Sequence, residues 1–277
     1  MKILVSGTSG YVGRNLIKFL KDLDCEVVTI CVFQQNLMSL KMQKKHLDKQ
    51  LQKLEPQICD VHTFIHLAWM NTNDWNSSVH HNINKQLSEY LIKRLCSQGV
   101  EHVIVAGTCL EYGISGGNLS ENLPAKPKNE YAMAKHALYE SIRVMADKND
   151  FRLSWLRLFY IFGGDQPPNT IYGSMMEKID RGESAFDMSS GQQVRDYLHI
   201  DSVCQMILAV VVSKKGLDVV NICSGQGFTL EKHVRSWLNE INPEVSLSLN
   251  LGALPERKDE PFHLSGSSYK FDSLLHE

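Results

Sequence analysis

Strand and helix signals alternate over the first 165 residues. Glycines spaced Gly-x-x-Gly-x-x-Gly follow the first strand, and loop chemistry breaks the pattern after Gly163. These observations predict an α/β fold, a doubly wound parallel sheet with helices on both faces and a smaller C-terminal lobe.

Ile3–Ser6 is a short apolar run ending at glycines, and Tyr11–Asp22 carries Val12, Leu16, Phe19 and Leu20 at helical spacing. Glu26–Phe33 is rich in β-branched residues and reads as the second strand, with Leu37–Leu54 a polar helix after it. Thr63–Ala68 is a buried strand, Ile83–Ser97 an amphipathic helix and Val103–Ala106 a strand. Glu130–Asp147 is a long helix and Leu153–Leu158 another strand. Gly163-Gly164-Asp165-Gln166-Pro167-Pro168-Asn169 is a loop. Beyond it, helices at Ile171–Arg181, Asp201–Val212 and Leu230–Glu240 mix with strands at Val219–Cys223 and Val245–Leu249. The division expected is a dinucleotide-binding domain over 1–165 and a mainly substrate-binding lobe over 166–277. The strand near 219–223 is expected to return to the sheet.

The 277 residues are 43% hydrophobic and 22% charged, enough for a real core. A net charge of −2 supplies no basic field for nucleic acid or acidic lipid. No apolar run reaches membrane-spanning length, and Met1-Lys2-Ile3-Leu4-Val5 runs straight into a strand without the pattern of a signal peptide. The seven cysteines are scattered with no Cys-x-x-Cys pair, the usage of reduced thiols rather than a disulfide frame or a metal site. The compartment expected is the cytoplasm.

Gly7-Thr8-Ser9-Gly10-Tyr11-Val12-Gly13 lies between a strand and a helix. Glycines there allow a tight turn and close approach to a pyrophosphate, while the helix N-terminus supplies N–H donors. A dinucleotide is therefore the expected cofactor. The acid that normally takes the adenosine ribose should stand near Cys31, but residues 30–35 hold neither an acid nor an arginine, so NAD and NADP both stay open.

Tyr131-Ala132-Met133-Ala134-Lys135 places a phenol and an ammonium on one helix face. A lysine beside a tyrosine lowers the phenol pKa from about 10 toward neutral, so that it can exchange a proton at physiological pH. Taken alone, the pair could equally be an exposed helical pair. Upstream, Val103-Ile104-Val105-Ala106-Gly107-Thr108 ends a strand, where open α/β sheets place ligands, and Thr108 can hydrogen-bond a reacting oxygen.

At this point the sequence closely resembles the extended short-chain dehydrogenase/reductases, a Rossmann-type family, in their NAD-dependent sugar epimerase/dehydratase group. The resemblance includes Gly7/Gly10/Gly13, Phe64-Ile65-His66-Leu67-Ala68, Asn84, Thr108 with Tyr112-Gly113, and Tyr131-x-x-x-Lys135. It continues through Arg157–Gly163 and Gln193–Asp201. It implies that Thr108, Tyr131 and Lys135 are catalytic, with Lys135 also holding the nicotinamide ribose. Gly7, Ser9, Gly10, Tyr11, Val12, Gly13, Leu67 and Ala68 would complete the cofactor site. It further implies a nucleotide-sugar substrate whose diphosphate is gripped by Arg195, with Arg257 a looser second candidate, and a homodimer formed through Ile83–Ser97 and Glu130–Asp147. The alternative for Arg195 is an ion pair with Asp196 or Asp201.

Within that family, 4,6-dehydratases carry an Asp-Glu pair after the catalytic serine or threonine, where this chain has Cys109 and Leu110. The 3,5-epimerase/4-reductases use a cysteine two places after it, and that place is Leu110. Cys109 reads as a packed small thiol. Two reactions survive: 4-ketoreduction of a nucleotide-linked 4-keto-6-deoxysugar, and C4 epimerisation with retained NAD. The Thr-Cys-x-Glu-Tyr pattern of Thr108–Tyr112 resembles deoxysugar reductases and favours the first. A non-catalytic dinucleotide-binding scaffold is a third reading, suggested by two departures from the family. No clear third strand lies between residues 33 and 63, and no Leu-Gly-Trp turn with a final helix is visible near Phe271–Leu275. His80-His81 reads as solvated surface, though the Trp69–Ser78 loop before it follows a strand and could border the sugar.

Overall fold

The computed structural model describes residues 1–34, 39–113, 116–213, 215–241, 247–256 and 261–275. Six strands make the main sheet: β1 (Lys2–Ser6), β2 (Glu26–Ile30), β3 (Thr63–His66), β4 (His102–Thr108), Arg152–Leu158 and Asp218–Ile222. Their order is Asp218–Ile222, Arg152–Leu158, β4, β3, β1, β2, and every pairing is parallel. The winding reverses beside β1, so a crevice opens at the carboxyl ends of β1, β2 and β3.

Strand residues alternate between two cores because successive side chains point to opposite faces. Leu4, Phe64, Val103, Val105 and Trp155 enter one core with buried residues of α2 (Leu40–Ile58), α3 (Gln86–Cys96) and α4 (Glu130–Asn149). Ile3, Val5, Ile65, Ile104 and Leu156 enter the other with α1 (Tyr11–Asp22) and, further along the chain, residues of the helix Ile200–Val212. Both faces are covered, which is the doubly wound architecture expected.

Several boundaries differ from the sequence reading. β2 ends at Ile30 and β3 at His66, because the Ser6–His66 pairing is the last before β1 turns at Gly7. β4 is longer, reaching Thr108, which pairs with Leu158. α2 begins after Ser39, whose hydroxyl accepts the Met42 N–H at 3.3 Å, and continues past Leu54 through Pro56. Residues 35–38 lie outside the described set, so the start expected at Leu37 does too. Among the described residues no strand separates α2 from β3. The helix expected over 83–97 divides into a π-helical stretch, His80–Lys85, and α3.

The C-terminal part adds α5 (Ile171–Asp180), α6 (Ile200–Val212), α7 (Leu230–Ile241) and α8 (Tyr269–Leu275). α8 supplies the final helix that was not visible in the sequence. It docks by burying Phe271 in the α1–α6 core and by the Lys270 ammonium donating to the Leu217 carbonyl at 2.7 Å. Met175, Phe186, Met188, Val234 and Trp237 form a separate core around α5 and α7. The strand expected at Val245–Leu249 is a three-residue one, Ser248–Asn250, paired with Ala185–Asp187, and residues 242–246 lie outside the described set.

Asp196, fully buried, fastens this part to the sheet. One carboxylate oxygen accepts from the Ser224 N–H and hydroxyl at 2.8 and 2.6 Å, the other from the Gly225 and Gly266 N–H groups at 3.1 and 3.2 Å. A buried carboxylate is tolerated when its lone pairs are met in this way.

Two buried histidines set the acid stability of the fold. His66 bridges Ser6 and Ser88 at 2.7 and 2.8 Å, and His102 meets Ser154 at 2.9 Å. Burial pushes His66 down to about 3 and His102 down to about 4 from the ordinary 6.5. Between those values and 6.5 the unfolded chain binds more protons than the folded one, so stability falls as the pH drops. Each histidine should remove about 2 kcal/mol between pH 7 and 4.5. Urea unfolding midpoints at the two pH values check this, and His66→Gln should weaken the dependence.

Candidate active site

A cleft of about 710 Å³ opens where β1, β2 and β3 end, lined by Gly7, Thr8, Ser9, Gly10, Leu67, Ala68, Trp69 and the residues Thr29–Phe33 among others. Gly7 has φ +77, and a Cβ there would lie 2.5 Å from the Ala68 nitrogen, so only glycine lets the loop pass this close to β3. A Cβ on Gly13 would collide with the Gly7 carbonyl, which makes Gly13 the contact that seats α1 against the loop. Gly10 caps α1 without a side-chain acceptor, leaving first-turn N–H groups for an anion. The residues present therefore fit a dinucleotide.

The structure distributes the expected cofactor residues unevenly. Gly7, Ser9, Gly10, Leu67 and Ala68 line the cleft. Val12 packs against the α1–α6 core, and Tyr11 faces elsewhere, its hydroxyl donating to the Gly163 carbonyl at 2.7 Å. Trp69, Met70 and Cys31 line the cleft without having been singled out as cofactor residues.

Thr108, Tyr131 and Lys135 come together. Tyr131 opens α4, whose N-cap Asn129 accepts the Ala132 N–H at 2.8 Å, while the Tyr131 N–H donates to the Trp75 carbonyl at 2.9 Å. The Thr108 side chain lies near its phenol. One turn on, the Lys135 ammonium donates to the Ala106 carbonyl at 2.6 Å and lies 3.9 Å from the Trp69 ring centre. Lys135 is only 2% exposed.

The expected lowering of the phenol by Lys135 is not what this geometry gives. Burial pushes Tyr131 up, the Glu111 charge and Cys109 add to the rise, and Thr108 only partly opposes it. Lys135 is itself drawn down to about 7 by burial, against the Glu111 charge. The ammonium spends its interactions on a carbonyl and an indole face rather than on the phenol.

His80 also departs from expectation. It is fully buried rather than solvated. Its Nδ1 accepts from the Trp69 indole N–H at 3.0 Å, and its Nε2 lies 2.8 Å from the Asp74 carbonyl. This pattern fits a neutral ring protonated at Nε2, and burial accordingly pulls its pKa down. His80 packs edge-on to Tyr131 at 5.4 Å between centroids and thereby fixes Trp69 beside the pair. Asn84 in the same π-helical stretch bonds Met70, with its Oδ1 accepting the N–H and its Nδ2 donating to the carbonyl. His81 lies at the surface, 3.5 Å from Glu130.

Arg195 lines a second cavity, about 690 Å³, together with Tyr11, Tyr160, Gln193, Tyr197 and Phe262. It donates to the Val194 and Phe262 carbonyls at 2.8 and 3.1 Å and stands over the Tyr160 ring at 5.4 Å. The Asp196 carboxylate, proposed as its alternative partner, is engaged with Ser224, Gly225 and Gly266. Arg257 lies outside the described residues. Cys109 packs with Tyr112, Leu119, Phe159, Cys223 and Leu264, as a small buried thiol. No group of residues suited to a metal ion occurs among the described residues, and no described helix is long and apolar enough to cross a membrane.

A family profile described as the NAD dependent epimerase/dehydratase family matches residues 3–223. The chain belongs to that family. As a member of the NAD-dependent epimerases and dehydratases it is an NAD(P)-dependent oxidoreductase or epimerase, and its cofactor is NAD or NADP. It is 25% identical to a dTDP-6-deoxy-L-talose 4-dehydrogenase (NAD(+)) of Aggregatibacter actinomycetemcomitans, over 91% of this chain and 94% of the relative. It is 23% identical to a dTDP-4-dehydro-6-deoxyglucose reductase of Escherichia coli, over 88% and 83% of the two chains. Among solved structures, RMD from Pseudomonas aeruginosa complexed with NADPH matches with a TM-score of 0.80 at 19% identity, covering 99% of this chain and 92% of the other. That likeness establishes the shared fold.

The Gly7 geometry yields a direct check. Gly7→Ala should weaken NADH or NADPH binding at least about tenfold, because a left-handed backbone and a contact with Ala68 both resist a Cβ. Calorimetric affinity within twofold of the wild type would show that this loop does not hold the dinucleotide.

Proposed function

We propose that this chain is an NAD(P)H-dependent 4-ketoreductase of a nucleotide-linked 4-keto-6-deoxysugar, acting in deoxysugar or surface-polysaccharide biosynthesis. The observation that carries the reading is the convergence of Tyr131 and Lys135, one turn apart on α4, on the end of β4, where the Lys135 ammonium donates to the Ala106 carbonyl and the strand ends at Thr108. In this reading Thr108 and Tyr131 both meet the reacting carbonyl oxygen, and Lys135 holds the nicotinamide ribose. The dinucleotide, when bound, supplies the hydride.

Tyr131 is held protonated by its burial, so it starts as an acid, which is the state a reduction needs. As the carbonyl oxygen gains negative charge, the phenol proton moves from Tyr131 to that oxygen while Thr108 keeps it in line. Cys109 and Leu110 stand where a dehydratase needs carboxylic acids, and neither provides that proton chemistry. The names of the two relatives, a 4-dehydrogenase and a 4-dehydro sugar reductase, support redox chemistry at the same carbon.

The Arg195 cavity suits the nucleotide diphosphate. Arg195 brings to the cavity a guanidinium, the group that suits phosphate oxygens, and the Tyr160, Tyr197 and Phe262 rings there suit a flat base. A homodimer and a cytoplasmic site of action belong to the same proposal. Exposed Met133 and Val144 on α4 support the former, and seven free cysteines the latter.

Incubation with NADH or NADPH and a panel of 4-keto nucleotide sugars tests the reading. Stoichiometric consumption of the reduced dinucleotide is expected. Interconversion of C4 epimers without added dinucleotide would make the chain an epimerase, and dinucleotide binding without turnover would make it a scaffold. Tyr131→Phe should lower kcat by at least about a thousandfold while leaving dinucleotide affinity largely intact; activity within tenfold would remove Tyr131 as proton donor. Arg195→Ala should raise KM for the nucleotide sugar about tenfold or more, with a small effect on kcat. An unchanged KM would take Arg195 out of the phosphate site.

A further inference from the structure

Glu111 follows Thr108 in a short 3-10 turn, Cys109–Tyr112, and is 0% exposed. Its Oε1 accepts the Thr108 backbone N–H at 2.9 Å, closing a capping box at the end of β4. The Trp155 indole N–H reaches both carboxylate oxygens, at 2.9 and 3.2 Å, and Arg157 Nε reaches Oε2 at 3.3 Å. Gly107 makes this approach possible, since a Cβ there would lie 2.7 Å from Oε1. A neutral acceptor could close the turn. A buried carboxylate in its place, with an arginine brought in to meet it, is a costlier choice that structure alone does not require.

We propose that Glu111 is a positioning residue of the catalytic site, fixing Thr108 in place and supplying the negative charge that keeps the Lys135 ammonium charged for a dinucleotide's ribose hydroxyls. The inference rests on the proposed role of Lys135. Lys135 is sealed under Trp69 and donates to the Ala106 carbonyl, two residues along β4 from the Thr108 N–H that Glu111 accepts, and its helix neighbour His136 lies 3.8 Å from the same carboxylate. Burial favours loss of the Lys135 proton, and the Glu111 charge opposes that loss. The titratable groups facing Lys135 are His66 from β3, His80 from the π-helical stretch, Tyr131 on its own helix and Glu111. Facing Glu111 are Arg157, His136 and Tyr131, with Cys109 and Tyr112 on its own turn. Burial holds His66 and His80 neutral and Tyr131 protonated, so around neutral pH Lys135 is the group of its set whose charge changes.

Calorimetry of NADH and NADPH binding to the full chain between about pH 6 and 9 reads this without a sugar substrate. Wild-type affinity should fall with rising pH as Lys135 loses its proton. Glu111→Gln keeps an acceptor for Thr108 and removes the charge. Its midpoint should move down by about one pH unit, weakening binding up to about tenfold on the alkaline side while leaving it closer to wild type at pH 6. A uniform loss at every pH with the midpoint unmoved would overturn the proposal and leave Glu111 a structural cap. Where circular dichroism shows Glu111→Gln unfolded, Trp155→Phe decides, because it strips one N–H from the carboxylate and strengthens its field. That midpoint should move up by a few tenths of a unit, and an unmoved or lowered one overturns the proposal. Wild-type protein that binds neither dinucleotide at any pH would overturn the proposed function, and this inference with it.

Discussion

The turn at the end of β4 is the constraint on which the rest of the site depends. β4 is buried along its whole length and ends at Thr108, where the Glu111 carboxylate takes the strand's last N–H. That bond fixes the Thr108 backbone, and the Thr108 hydroxyl accepts the Leu110 N–H at 3.3 Å on the same turn. The network extends outward through Arg157, which stands 4.3 Å over the Tyr112 ring, and through the Tyr112 hydroxyl, which donates to Asn221 at 2.8 Å. Asn221 belongs to the sheet-edge strand Asp218–Ile222 and donates to the Leu119 carbonyl. Thr108 is thus held by a buried polar network running across three neighbouring strands, so its position is as rigid as the sheet.

The two cavities are coupled through α1. Its N-terminus faces the dinucleotide cleft, while Tyr11, its first residue, lines the other cavity and bonds Gly163. Arg14 and Asn15 on the next turn hold Asp165 at 2.8 and 2.9 Å, fixing the loop that leads into the C-terminal part. Across the site, Asn169 donates to Asn73 at 3.1 Å, joining that loop to the segment after β3. The exposed Arg14–Asp165 pair contributes little stability by itself. Its value is in register, because it ties the phosphate loop and the neighbouring cavity to one helix.

The parts of this arrangement that are local in sequence were legible there. Short apolar and β-branched runs marked strands buried on both faces, the glycine spacing marked the loop, and Tyr131 with Lys135 lay on one helix face as a spacing of four requires. The parts made by distant partners were not. Nothing local distinguishes His80, which is buried because Trp69 and Asp74 meet both its nitrogens, from its solvated neighbour His81. Asp196 reads like any acid beside an arginine until Ser224, Gly225 and Gly266 arrive from elsewhere in the chain. Glu111 did carry a signal. Thr108 and Glu111 stand three apart, the spacing of a capping box, although it follows a strand rather than opening a long helix.

Burial acts on Tyr131 and Lys135 in the same sense, driving each toward its neutral form. For the phenol, neutral means protonated and ready to donate; for the lysine, it means losing the charge that makes it useful. A dry pocket alone would therefore give a protonated phenol and a poor anchor. A fixed carboxylate nearby changes the second outcome and leaves the phenol protonated, since negative charge favours the proton on both groups. Glu111 is placed to act on both, held in position by the Trp155 and Arg157 donors. On this account a single carboxylate, buried with the tyrosine and the lysine, favours the proton on both groups.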